Sequence, residues 1–232
     1  MIQAIMQEHA WEREYRQSKL VTKENKPQTD TVRFARWLKG QGVSVDGAKV
    51  IDLGSGTGRN SFYFTGLGAK VTGLEISRTA IEMGEKNAKE AGLEIDYRKQ
   101  SIGEALPFRD AEFDIALDVT SSNSLSEAER DIYLIETHRV LKPGGYFFVK
   151  ALCKDGDGNA KTLLRKFPGR EKDTYVMPDM GVVERIWSKE DFVATYEKYF
   201  TILHLEKKTS YSRMNDRSYK RNFWIAYLKK NR

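Results

Sequence analysis

A chain of 232 residues, 40% hydrophobic and 31% charged, has the balance of a globular protein and the length to bury a core without disulfides or a structural metal. Cys153 is the only cysteine, which excludes an internal disulfide and a cysteine-rich metal site, and the three scattered histidines make no metal constellation. The net charge of +6 is concentrated, since residues 207–232 hold nine Lys/Arg against one acid while the remainder is slightly acidic.

The elements follow in chain order. Residues 1–14 mix Glu and Arg without the apolar core of a signal peptide, and no apolar run approaches the ~20 residues of a membrane span, so the expected setting is the cytoplasm, away from membranes. Apolar spacing predicts a helix over 2–19 and a second one after Pro27, capped by Thr29 or Asp30 and ended by Gly40 and Gly42. Short apolar runs then alternate with helical segments. Strands are predicted at 49–53, 69–76, 93–98, 112–119 and 146–152, with helices at 58–66, 77–89 and 126–141 between them. That alternation predicts an α/β fold, a doubly wound and mostly parallel sheet with right-handed crossovers.

Residues 153–187 break the rhythm with four glycines, two prolines and no sustained period, which suggests a functional loop or lid. Ser188 caps a helix running to Tyr199. The stretches 201–210 and 222–229 alternate like an antiparallel pair, with 212–221 between them. The reading is therefore an N-terminal helical cap at 1–42 and a main domain at 43–232 that carries a lid-like insertion.

The strongest local signal is Val50-Ile51-Asp52-Leu53-Gly54-Ser55-Gly56-Thr57-Gly58-Arg59. A strand enters a turn with glycines at alternate positions, which allow unusual backbone angles and close approach of a ligand, and a helix follows. Glu75, at the end of the next strand, is placed to accept hydrogen bonds from ribose hydroxyls. Arg59 stands where a pyrophosphate-binding G-x-G-x-x-G needs its last glycine, and the carboxylate of Asp52 opposes a diphosphate. Both count against a nicotinamide-dinucleotide enzyme and favour a cationic ligand.

Four motifs in order, D-L-G-S-G-T-G at 52–58, L-E-I at 74–76, Leu106-Pro107-Phe108 leading to Phe113-Asp114-Ile115-Ala116, and R-V-L-K-P-G-G at 139–145, resemble the class I S-adenosylmethionine-dependent methyltransferases across residues 48–152. The resemblance implies a seven-stranded Rossmann-like sheet with an antiparallel C-terminal hairpin and N-terminal cap helices, with S-adenosyl-L-methionine as cofactor. It implies that Gly54, Ser55, Gly56 and Gly58 pass beneath the methionyl and ribose parts, that Glu75 binds the ribose, and that Ile76 and Ile102 enclose the adenine. Family members often carry an Asp near position 101; this chain has Gln100-Ser101, which makes the Ser101 hydroxyl or a backbone group the candidate partner of the adenine amine. Asp118 stands where the family holds the cofactor's amino group, which is the favoured reading over a mere cap of the Ser121–Ser124 loop. Trp11 and Tyr15, four apart on one helix face, resemble a cofactor cap, and core packing explains them as well.

The chemistry expected is in-line transfer of a methyl group to an N, O or S nucleophile of a small molecule, driven mainly by positioning. Candidate acceptor contacts are Tyr15, Asn123, Tyr175, Arg185, Tyr211 and Arg213, with the acceptor entering between residues 1–30, 120–124, 153–187 and 211–221. No metal is expected. The basic C-terminal segment, interleaved with Tyr211, Tyr219, Phe223, Trp224 and Tyr227, leaves RNA as an alternative partner, and a non-catalytic cofactor-binding module as a third reading.

Overall fold

A computed structural model describes residues 2–17, 25–178, 180–214 and 217–231; for 2–6, 212–214 and 217 it describes the backbone alone. Helices α1 (Ile2–Arg16) and α2 (Thr29–Gly40) precede the strand–helix alternation β1 (Lys49–Leu53), α3 (Arg59–Gly66), β2 (Lys70–Glu75), α4 (Arg78–Glu90), β3 (Asp96–Lys99), β4 (Phe113–Val119), α5 (Glu127–Val140) and β5 (Leu141–Leu152). After β5 come α6 (Gly158–Lys166), β6 (Thr174–Val176), β7 (Val183–Arg185), α7 (Lys189–Tyr196), β8 (Phe200–Met214) and β9 (Arg217–Lys230).

The main sheet has seven strands in the order β3-β2-β1-β4-β5-β9-β8. Strands β1 to β5 pair in parallel, and β9 runs antiparallel between β5 and β8. The strand order reverses between β1 and β4, and this is where an open sheet of this kind leaves a crevice beyond its strand ends. Alternate side chains of the central strands feed two cores. Ile51, Leu53, Ala116, Phe147 and Val149 pack on one face with Tyr133, Leu134 and Phe192 of α5 and α7. Val50, Ile115, Leu117 and Phe148 pack on the other with Phe34 and Leu38 of α2. Burial on both faces explains why β1, β4 and β5 read as continuous apolar runs.

Local chemistry sets most element starts. Ser77 caps α4 by accepting the Ala80 N–H, and Ser126 with Glu129 forms a capping box at α5. The predicted cap of α2 differs: Gln28 is the capping position and makes no side-chain cap bond, because Asp30 is turned toward Lys150 and Lys208. The Pro143-Gly144-Gly145 turn lies within β5 as a bulge, since the register jumps from Phe113–Leu141 to Ile115–Tyr146.

Two sequence expectations change. Residues 153–187 are ordered into α6, whose start Asp157 caps through the Ala160 N–H, and a two-stranded β6–β7 sheet. The stretch 212–221 is no separate connection, because β8 and β9 stay paired from Phe200–Lys230 out to Met214–Arg217. Only residues 223–229 of β9 pair with β5, so the outer part of this hairpin projects past the sheet edge. Its sequence is mostly polar, with Tyr211, Met214 and Tyr219 the exceptions, and no alternation of hydrophobicity announces such a strand.

Candidate active site

A cleft of about 1190 Å³ lies beyond the carboxyl ends of β1, β2, β4 and β5. All four segments expected to surround the acceptor contribute to its wall: Gln7 to Asp30 with gaps, Thr120 to Ser124, Asn159 to Glu184, and Tyr211, Tyr219 and Arg221.

The glycine loop forms one end. Gly54, Gly56 and Gly58 have φ of 74°, 57° and 89°, the left-handed region that favours glycine. Gly54, Ser55, Gly56 and Thr57 line the cleft. Gly58 does not; it starts α3, and a Cβ there would strike the Tyr97 hydroxyl at 1.8 Å. Glu75 lines the cleft from the end of β2, where its Oε2 accepts the Gly56 N–H at 2.9 Å and its Oε1 accepts those of Ile76 and Ser77, each at 2.9 Å. Burial pushes its pKa up against these three donors. Ile76, Ser101 and Ile102 follow along the wall, and the Ser101 hydroxyl accepts the Gly103 N–H at 3.2 Å, which leaves its own proton to donate.

Two acids expected to touch the ligand stand behind the wall. Asp52 is 2% exposed, accepts the Ser61 hydroxyl at 2.6 Å and does not line the cleft; burial, with Asp118 and Glu75 nearby, pushes its pKa up to about 6. Asp118 is fully buried, and its oxygens accept the Ser121 and Ser122 N–H groups and the Tyr133 hydroxyl at 2.6 Å. It holds the loop after β4, which is the capping role. Asp52, Glu75 and Asp118 thus form a buried acidic floor, which suits a cation above it.

Helix α1 covers this end. Gln7, Trp11 and Tyr15 line the cleft, and the Tyr15 hydroxyl lies 2.7 Å from where a Cβ on Gly56 would sit. Glu12 fastens the helix to α4, accepting the Ser77 hydroxyl at 2.7 Å and the Thr79 N–H at 3.2 Å. Burial acts to raise its pKa, yet these bonds hold it at about 2.

The other end was less visible in the sequence. Lys150, on β5, donates to Gln28 Oε1 at 2.9 Å and Asp30 Oδ2 at 3.0 Å, and Lys208 of β8 pairs with the other Asp30 oxygen. Tyr175 donates to Glu184 Oε2 and accepts both terminal nitrogens of Arg221 at 3.3 Å, while Arg221 Nε is held by Asp157 at 3.1 Å. All of these except Asp157 line the cleft. Lysine inside the apolar run Phe147–Leu152 is the one sequence signal that marks this cluster.

Among the expected acceptor contacts, Tyr15, Asn123, Tyr175 and Tyr211 reach the cleft. The Asn123 amide is taken up structurally, donating to Thr120 O at 3.1 Å and accepting the Leu152 N–H at 3.2 Å. Arg185 lies outside the cleft, bonded to Asp191 at 3.1 Å and to the Lys172 carbonyl, because β7 turns it toward α7. The Arg213 side chain lies outside the described residues. No group of His, Cys, Asp and Glu among the described residues could hold a metal ion, and no described helix is long and apolar enough to cross a membrane.

Residues 51–149 match the family model of a methyltransferase domain. The chain thus carries a methyltransferase domain, consistent with the class I S-adenosylmethionine-dependent methyltransferases. It is 34% identical over 107 residues to a ubiquinone biosynthesis O-methyltransferase of Brucella anthropi, covering 46% of this chain and 42% of that one. It is 37% identical over 107 residues to a fatty-acid O-methyltransferase of Mycolicibacterium smegmatis, covering 45% and 37%. The chain therefore spans less than half the length of these curated relatives. The fold is similar to that of Burkholderia thailandensis 1,6-didemethyltoxoflavin-N1-methyltransferase, with a TM-score of 0.72 and 17% identity over 99% of this chain and 89% of that one. The cofactor of such enzymes, S-adenosylmethionine, fits the glycine-loop end: Gly54 and Gly56 line the cleft, the floor is acidic, and Glu75 lines the same wall from the end of β2.

Proposed function

We propose that this protein methylates a hydroxyl group of a small molecule, with Glu184 taking the hydroxyl proton. The observation that carries the reading is that one cleft joins the glycine loop and Glu75 to the carboxylate of Glu184. S-adenosylmethionine supplies an electrophilic methyl group on a sulfonium leaving group. A neutral hydroxyl is a weak nucleophile and gains from a base whose pKa is raised toward neutrality. Burial raises that of Glu184, while Tyr175 and Arg221 limit the rise. Glu184 Oε1 has no hydrogen-bond partner among the described residues, so it is available to an acceptor. Tyr175, fixed by Glu184 and Arg221, orients the carboxylate, and α1 with residues 159–184 shields the site from water. The names of the curated relatives favour oxygen as the acceptor atom.

In this reading 43–232 is the catalytic unit, 1–42 its cap and 153–187 its lid, working in the cytoplasm. The basic segment counts for less than its sequence suggests, because Lys208, Arg221, Lys229 and Lys230 are drawn into contacts with Asp30, Asp157, the Tyr146 ring, and the His138 and Leu141 carbonyls. An acceptor screen with methyl-labelled S-adenosylmethionine, run on hydroxylated metabolites and on RNA, tests the proposal. Label in a hydroxylated small molecule supports it; label in RNA alone, or in amines alone, overturns it.

A further inference from the structure

We infer that the acceptor is a monoanion with an apolar body, its carboxylate held by Lys150 and Lys208. The inference rests on the proposed reading of the cleft as a methyl-acceptor site.

Lys150 is only 8% exposed, and burying an ammonium is costly unless charge is returned to it. The compensation is incomplete. Among the described residues Asp30 is the one carboxylate bonded to Lys150, and Lys208 takes its other oxygen. Arg33 stands 4.0 Å from Asp30 and is paired with Glu206 at 2.7 Å. Among the described residues, three cations in this cluster thus face two carboxylates. The remaining acids of the cleft wall serve elsewhere, Glu75 on the glycine-loop amides and Glu184 on Tyr175.

Geometry leaves room for the missing partner. An ammonium has three donors, and Lys150 uses two, on Gln28 and Asp30. Its Nζ lies 4.7 Å from the Phe223 ring centroid, and Leu152, Leu163, Phe167 and Met177 also line the cleft. A charge excess of one beside an apolar wall matches a carboxylate on an aryl or alkyl body better than a phosphate dianion.

The test uses the full chain loaded with S-adenosylhomocysteine. Calorimetry measures binding of 4-hydroxybenzoate, 4-hydroxycinnamate and 12-hydroxydodecanoate, each against its methyl ester. At least one acid should bind about tenfold or more tightly than its ester, the worth of a charged hydrogen bond. That preference should disappear in Lys150→Met and in Lys208→Gln, the second a half-buried position that tolerates change, with S-adenosylhomocysteine binding as the folding control. Acids that bind no better than their esters, or a preference that survives both substitutions, overturn the inference. Turnover of the same panel separates the two readings. Esters methylated as well as acids would end the anion subsite and leave the methyl-transfer proposal standing. Acids that bind selectively and are never methylated would do the reverse.

Discussion

The Glu75 carboxylate accepts the Gly56 backbone N–H at 2.9 Å, so the acid at the end of β2 fixes the curvature of the glycine loop. In the proposed reading the same side chain also binds the ribose of the cofactor. Replacing Glu75 with Ala should weaken S-adenosylhomocysteine binding by about 1–3 kcal/mol and, by stranding buried N–H groups, destabilise the fold by a similar amount. Calorimetry and chemical denaturation read the two separately. Undiminished affinity would remove the ribose role.

Asp52 carries a pH signature. Its folded pKa of about 6 lies above the usual 3.8, so ionising it opposes folding. The folded state holds the proton more tightly than the unfolded state between those values, and stability attributable to Asp52 is present below pH ~4 and lost as pH rises through about 6. Asp52→Asn cannot ionise and should gain about 3 kcal/mol on the wild type between pH 4 and 7. Urea denaturation of both proteins across that range measures it, and parallel pH profiles would show that Asp52 does not titrate there.

What the sequence revealed follows from distance along the chain. The glycine loop and Glu75 lie 19 residues apart and are joined by one strand–helix–strand unit, so local backbone needs and a short crossover expose them. The other end of the cleft is assembled from far pairs. Lys150 meets Asp30 across 120 residues, Lys208 meets Asp30 across 178, and Arg221 meets Tyr175 across 46. None of these pairings leaves a periodicity or a spacing. Asp118 shows the opposite limit. Its position and its possible capping of the following loop were legible, but not that the loop amides and the Tyr133 hydroxyl together would occupy its oxygens.

The α1 cap depends on Glu12, whose low pKa of about 2 reflects hydrogen bonds from Thr79 and Ser77 that outweigh burial. A depressed carboxylate stabilises docking above its unfolded pKa and loses that contribution as pH falls toward 2. Glu12→Gln should loosen α1 at neutral pH by about 1–2 kcal/mol, the loss of charged hydrogen bonds. Hydrogen exchange of the α1 amides should quicken, and S-adenosylhomocysteine affinity should fall if the helix covers the cofactor. Faster exchange with unchanged affinity would show that α1 packs on α4 without serving the site.

The proton-accepting role proposed for Glu184 can be separated from binding. Glu184→Gln keeps the shape and a partner for Tyr175 but removes the base. Once an acceptor is known, kcat should fall by about 10²- to 10⁴-fold, the usual worth of general-base catalysis, while S-adenosylhomocysteine affinity holds. Burial raises the Glu184 pKa, so wild-type kcat should rise with pH as this carboxylate ionises, and the variant should lose that acidic limb. Tyr175→Phe should produce a smaller loss and shift the limb, because it removes the hydroxyl that donates to the carboxylate. If Glu184→Gln changes KM alone and keeps the wild-type pH profile, the carboxylate merely positions the acceptor, and the nucleophile reaches the site already ionised.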